Sequence, residues 1–253
     1  MSWSTRRKLL YFFVFLIAAF LIIGAPLYVI LHEKPNCFDN RQNQREEGVD
    51  CGGPCVRLCK PLELIPVVLW QQSFQVASGV YAATAYVQNP NLRAEAFEVP
   101  YKFMLYDTKN NLLGERTGIA YIPPGRNFAV FEGGIRIASG TPVRTEFEFD
   151  ESLTWQLSTT KPDLKIQNLT IATSSSPTIE ADIVNSTYAD IPRVDVVAVI
   201  YDEAGNAFAA SKTYIDYIDK QSKGHVTFTW PEPFKKIPVR IEIIPLIDER
   251  SSS

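Results

Sequence analysis

PVRTEFEF, Pro142 to Phe149, is the stretch from which the fold can be read. Val143, Thr145, Phe147 and Phe149 alternate with Arg144, Glu146, Glu148 and Asp150. A period of two is that of a strand with one buried and one wet face. The stretch recurs as PVRIEIIP, Pro238 to Pro245, offset by 96. Three more anchors recur in the same order. YVQN, ending at Asn89, returns as DIVN, ending at Asn185, again offset by 96. FMLYD, Phe103 to Asp107, returns as AVIYD, Ala198 to Asp202, offset by 95, and Tyr121-Ile122 returns as Tyr217-Ile218. Ordered matches at a nearly constant offset predict two copies of one domain.

Working outward from that strand, Phe97, Val99, Tyr101, Phe103 and Leu105 form a second alternating run that ends in Asp107-Thr-Lys-Asn-Asn111. Its counterpart ends in Asp202-Glu-Ala-Gly-Asn206. Asp starts a turn by bonding its own backbone, and Asn or Gly accepts positive φ, so both read as hairpins. About seven strands over roughly 90 residues suit an immunoglobulin-like sandwich of two antiparallel sheets. The predicted class is all-β, with two tandem sandwiches at 61–150 and 163–248, a connector at 151–162 and a polar tail at 249–253. Leu153, Trp155 and Leu157 alternate in the connector and are expected either to pack where the sandwiches meet or to form a solvated connector with one stray Trp.

FMLYD, followed by Pro124-Gly125 and an alternating strand, with Asn89 at a V-x-N strand end, resembles the FxLYD family of bacterial surface β-domains. The resemblance covers Phe74 to Phe149 well and Ile171 to Ile247 more loosely. The second copy has Ala198 and Ile200 where the first has Phe103 and Leu105, and Lys220-Gln221 in place of the Pro-Gly pair. The resemblance implies an immunoglobulin-like envelope module without shared catalytic residues. In it Phe103 and Leu105 would face the core and Asp107 would cap the turn. Tyr106 completes the motif, and Ile200, Tyr201 and Asp202 are its counterparts.

All four cysteines lie upstream, within the module at 32–60: Cys37, Cys51, Cys55 and Cys59. An even number of cysteines in so short an exported segment reads as two disulfides that replace a missing core. Three connectivities satisfy them. A four-thiolate zinc site is the rival, but the paired C-x-x-C spacing is absent. Asp39, Asn43, Glu46 and Asp50, with Asn40 and Glu47, crowd the same loop, and closely spaced oxygens suit calcium, though not at EF-hand spacing. The run resembles a short cysteine module found beside membrane anchors or between domains of bacterial surface proteins, with Asn40 where a Gly is usual.

Before the cysteines, Leu9 to Leu31 is an uncharged apolar run of 23 residues. At about 1.5 Å per residue it can cross a hydrocarbon core of about 30 Å. Arg6, Arg7 and Lys8 precede it, so residues 1–8 are expected in the cytoplasm, 9–31 in the lipid bilayer, and everything after them outside the cytoplasm. A cleaved signal fits less well, because Leu27 to Leu31 continue the apolar run past Gly24, Ala25 and Pro26.

Beyond the span, 22 Lys and Arg stand against 28 Asp and Glu, a net charge of about −6, which argues against nucleic acid as a partner. The two histidines, His32 and His225, are far apart in the sequence, and no nucleophile elbow, phosphate loop or H-E-x-x-H pair is present. The expectation is a non-enzymatic, membrane-anchored binding or structural protein of the cell envelope, without a cofactor, holding a protein or polymer at strand edges and loops. A calcium-stiffened stalk and an envelope hydrolase with an unrecognised site are the alternatives. The sequons at Asn168 and Asn185 carry meaning only in a cell that glycosylates exported Asn.

Overall fold

The structure is a computed structural model that describes residues 3–32, 36–43, 45–59, 64–150, 153–158 and 164–247. The tail at 249–253 and parts of the stem and connector lie outside these residues. The chain divides into two compact units, Met1–Val56 and Arg57–Ser253.

The first unit opens with α1 (Trp3–Ala19), a π-helical turn (Phe20–Gly24) and α2 (Ala25–His32). Within it, Thr5–Tyr28 is long and apolar enough to cross a membrane, and none of it is buried in protein. Pro26 lacks an N–H and crowds the carbonyl four residues back, so the wider turn just before it absorbs the misfit and the helix continues.

The second unit is antiparallel β throughout. Its strands are β1 (Val67–Ala77), β2 (Val80–Gln88), β3 (Ala94–Tyr106), β4 (Leu112–Ile122), β5 (Asn127–Arg136), β6 (Arg144–Phe149), β7 (Trp155–Leu157), β8 (Leu164–Ala172), β9 (Thr178–Asn185), β10 (Ile191–Tyr201), β11 (Ala207–Ile218), β12 (Lys223–Thr229) and β13 (Arg240–Ile247). In sandwich 1, sheet β1-β2-β5 faces sheet β4-β3-β6, and β7 pairs with β3. In sandwich 2, β8-β9-β12 faces β11-β10-β13, the same order strand for strand. Among the described residues sandwich 1 thus has seven strands, β7 included, and sandwich 2 has six.

Phe103 and Leu105 are fully buried with Tyr101 and Phe147 in the first core, as are Ala198 and Ile200 with Val196 in the second. The expected stripe fails at Phe97. Glu98 adopts φ +51 and the β3–β4 register shifts between Ala96 and Val99, so this bulge moves Phe97 out of the core stripe, where it stacks on Tyr121. Val143 also departs from the expected pattern and is exposed. β11 carries one residue more than β4, and its pairing with β10 runs straight where β3 bulges. That residue is why the repeat offset moves from 95 to 96 along the chain.

The connector reading is corrected. Trp155 is only 2% exposed and belongs to the core of sandwich 1, not to the contact between sandwiches. β7 holds it there by pairing with Ala94–Ala96, while the Leu58 N–H donates to the Trp155 carbonyl at 3.3 Å and Arg57 bridges to Gln156.

The sandwiches meet through sheet faces. Trp70, Phe74, Tyr86, Ala129 and Phe131 on the outside of β1-β2-β5 pack against Val197, Val199, Tyr201, Ala207, Ala210 and Ile244 on the outside of β11-β10-β13. The result is four stacked sheets with three apolar layers between them. Strands buried on both faces lose alternation and read as continuous apolar runs. YAATAYV at 81–87 and VVAVIY at 196–201 carry that signal, and the small Ala side chains let the sheets approach.

Candidate functional site

The motif residues form the turns that hold each sandwich together. The Asp107 carboxylate accepts the N–H groups of Lys109 and Asn111, both at 2.8 Å, and Asp202 accepts that of Asn206 at 2.9 Å. The Asn111 side chain for the first and Lys236 for the second, and then these backbone bonds, hold both carboxyls below their ordinary range. Tyr106 and Tyr201 precede the caps at matching register shifts in β3–β4 and β10–β11.

The V-x-N asparagines contribute more than their position suggests. Asn89 is buried, and its Nδ2 donates to the carbonyls of Ala94 and Pro123, each at 2.8 Å, while its Oδ1 accepts the Asn91 N–H at 2.9 Å. Asn185 repeats this with the carbonyls of Ala189 (2.8 Å) and Asp219 (3.0 Å) and the Thr187 N–H (2.9 Å). Each ties the β2–β3 or β9–β10 loop to the turn that follows β4 or β11. A side chain so enclosed is no glycan acceptor, and Asn168 directs its Nδ2 to Asp182 at 2.8 Å.

In the cysteine module Cys37 is bonded to Cys55, and Cys51 and Cys59 are oxidised as well. Of the expected calcium ligands, Glu46 and Asp50 are buried and Asp39 and Asn43 are half-exposed. Asp50 accepts the N–H groups of Asp39 (3.0 Å) and Asn40 (2.9 Å), and Glu46 accepts that of Asn43 at 3.1 Å. Asn43 spends its Nδ2 on Asp39 at 2.8 Å. These carboxylates shape the loop by capping its backbone donors. Glu46 gathers with Cys37 and Cys55, but their sulfurs are committed to the disulfide and are not thiolate ligands.

The contact between the sandwiches contains a polar knot within apolar surroundings. Glu242 accepts the hydroxyl of Tyr86, that of Tyr201 at 3.2 Å and the Arg240 guanidinium at 3.0 Å. Arg240 lies 3.5 Å over the Tyr201 ring, and Trp70 stacks on Tyr86 and meets Tyr201 edge-on. Burial, and then the Glu242 carboxylate, push the Tyr86 and Tyr201 hydroxyls up to about 12.

Single sandwiches with short loops leave little room for a cleft, yet stacking two of them creates clefts along the seam. One, of 130 Å³, is lined by Tyr101, Tyr121 and Phe131 from sandwich 1 and by Arg193, Asp195 and Lys212 from sandwich 2. Asp195 pairs with Arg193 at 3.1 Å and with Lys212 at 2.6 Å, so the lining carries a net positive charge. Tyr101 donates to Glu132 at 2.6 Å, and burial followed by that carboxylate pushes its hydroxyl well above the ordinary range, so it stays neutral. Gly118 makes room for this pair, since a Cβ there would sit 2.6 Å from Tyr101 Cζ. Elsewhere on the seam a groove of 420 Å³ runs past Phe74, Gln75, Phe208, Lys235 and Lys236.

Asp182 on β9 is the one place where a histidine and a carboxylate meet among the described residues. Lys223 (2.7 Å), His225 (3.0 Å) and Asn168 bond to it and hold its carboxyl well below the usual carboxylate range. No hydroxyl or thiol bonds to His225 among the described residues, so the cluster offers ion pairing without a nucleophile.

No protein-family model matches the sequence, and no curated protein matches it. Among solved structures, the chain is similar to red sea bream transglutaminase at 12% identity and TM-score 0.23, over 72% of this chain and 29% of that one. It is also similar to a Bacteroides uniformis β-glucuronidase at 13% identity and TM-score 0.22, over 64% of this chain and 22% of that one. The chain therefore spans less than a third of either protein, and likeness at this level carries no argument about fold or activity.

Proposed function

We propose that this protein is a membrane-anchored, extracytoplasmic binding protein of the cell envelope, with an apolar helix as anchor and two stacked β-sandwiches as the binding body. The observation that carries the reading is the helix Thr5–Tyr28, uncharged from Leu9 onward and not buried by other described residues. A helix apolar on all sides needs lipid or protein around it. The oxidised cysteines that follow suit an oxidising compartment, and Arg6, Arg7 and Lys8 keep the amino terminus in the cytoplasm.

The binding role rests on the seam. An apolar layer with a bonded Tyr86–Glu242–Tyr201 knot fixes the two sandwiches against each other, so clefts contributed by both have a constant shape. Aromatic walls and positive charge suit an acidic protein segment or an anionic envelope polymer. The halves are read as two copies of an FxLYD-type domain, supported by their common strand order and by the matching roles of Asn89 and Asn185 and of Asp107 and Asp202. Protease added to intact cells should remove everything after His32, and the protected remainder should resist alkaline extraction. A chain found soluble in the cytoplasm with reduced thiols would end the proposal. If the seam binds, Lys212→Glu should abolish retention on the anionic partner and leave folding intact.

A further inference from the structure

The cysteine module leaves three large apolar side chains in water, Phe38, Val49 and Val56, which are 89%, 54% and 54% exposed. Two links in the module hold them in one neighbourhood. The Cys37–Cys55 disulfide, with Cα atoms 5.6 Å apart, brings together the residues that directly precede Phe38 and Val56. The Asp50 carboxylate, next to Val49, accepts the N–H of Asp39, next to Phe38. Within this unit the exposed charges of the module are Arg41, Arg45 and Glu47, with Asp39 half-exposed, while Asp50 and Glu46 are buried as caps.

The surface is tied to the helix by a short covalent path. Four residues separate His32 from Cys37, so their Cα atoms are at most about 18 Å apart whatever course the chain takes. The helix from Trp3 to His32 is itself about 45 Å long, the thickness of a bilayer with its headgroups. Its end therefore lies at the headgroup–water boundary, with Phe38 within reach of that layer. Aromatic side chains are favoured at this depth, and nearby arginines pair with lipid phosphates.

From this continuity we infer that Phe38, Val49 and Val56 form a membrane-contacting surface that seats the cysteine module in the headgroup layer of the bilayer crossed by the helix. The inference rests on the anchor reading above. On this inference the caps at Asp50 and Glu46 and the disulfides hold apolar side chains outward on a segment too small to bury them.

The full chain with Phe38→Trp, reconstituted in phosphatidylcholine–phosphatidylglycerol vesicles, tests it. Phe38 is exposed, so the substitution leaves the fold alone, and the absence of free thiols verifies that both disulfides have formed. After subtraction of the parent protein's fluorescence, the added emission should be blue-shifted and should lose most of its intensity when the lipids are brominated near the headgroup end of the acyl chains. Bromination at mid-chain should quench it less. Protein that withstands an alkaline wash but shows no shift and no quenching overturns this inference alone, and points to water or a protein partner at Phe38. Protein released by the wash overturns the anchor reading and this inference together.

Discussion

Sandwich 1 and sandwich 2 share a strand order and differ in what fills it. The first core is aromatic, with Phe103 4.8 Å from Phe147 and Phe147 4.8 Å from Phe149. The second places Ala198 against Ile243, in the register of Phe103 against Phe147, and is mostly Ile, Val and Ala, with its buried aromatics Phe228 and Trp230 at the end of β12. What does not change is polar: a buried Asn at the end of β2 or β9, an Asp at the β3–β4 or β10–β11 turn, and a register shift just before that Asp. Apolar volume can be redistributed across a sheet at modest cost. A buried amide that serves two loops has no substitute of another shape. In this protein the turns specify the topology, and the cores supply bulk stability.

That contrast can be broken most severely at a core residue whose strand, β7, has no counterpart among the described residues of sandwich 2. Trp155→Ala should cost sandwich 1 about 3–5 kcal/mol, seen in urea unfolding as an early transition, while the transition of sandwich 2 stays in place. A mutant that keeps both transitions and only changes interdomain flexibility would return Trp155 to the connector. The next test concerns equality. Asn89→Ala and Asn185→Ala should each cost about 3 kcal/mol, since each strands several buried backbone groups. A large difference between them would mean that the two staples are not equivalent.

Alkali should loosen the seam, and it also weakens the core of sandwich 1 through Tyr101, whose hydroxyl is likewise held above its ordinary range by burial and Glu132. Tyr86 and Tyr201 have folded-state values near 12, above the ordinary 10, so they bind protons more tightly folded than unfolded. Their contribution is complete below pH 10 and is lost as pH rises through about 12. Trp70 fluorescence should report separation over that window, and Glu242→Gln should narrow it, because the carboxylate is one of the causes of the shift.

The smallest effect is expected at a turn the two halves build from different residues. Gly125 has φ +58, and a Cβ there would sit 2.9 Å from Leu92 Cα. Gln221 stands in its place in sandwich 2 with φ +54, held by its Nε2 on the Ser186 and Thr187 carbonyls at 2.6 and 3.0 Å. Gly125→Ala should cost about 1–2 kcal/mol. Gln221→Gly should change stability by less than about 1 kcal/mol, because relief of the left-handed backbone offsets the lost hydrogen bonds. A large loss at Gln221 would show that its side chain, not its backbone, makes the turn.

Much of this was legible in the order of residues. Alternation, recurring anchors and turn chemistry identify the strands, hairpins and two-domain plan, because these depend on neighbours along the chain. The apolar run Leu9 to Leu31 likewise identifies a helix suited to a membrane by length and composition alone. Even the doubly buried runs at 81–87 and 196–201 carry a local trace of the stacked sheets, although nothing in them tells which faces meet. The bulge at Glu98, the place of Trp155 in the first core, the choice of Cys55 for Cys37 and the knot on Glu242 were settled only by tertiary structure. Each depends on residues distant in sequence whose proximity follows from how whole sheets pack. Spacing along the chain determines which face a side chain is on, and only the packed fold determines what lies opposite.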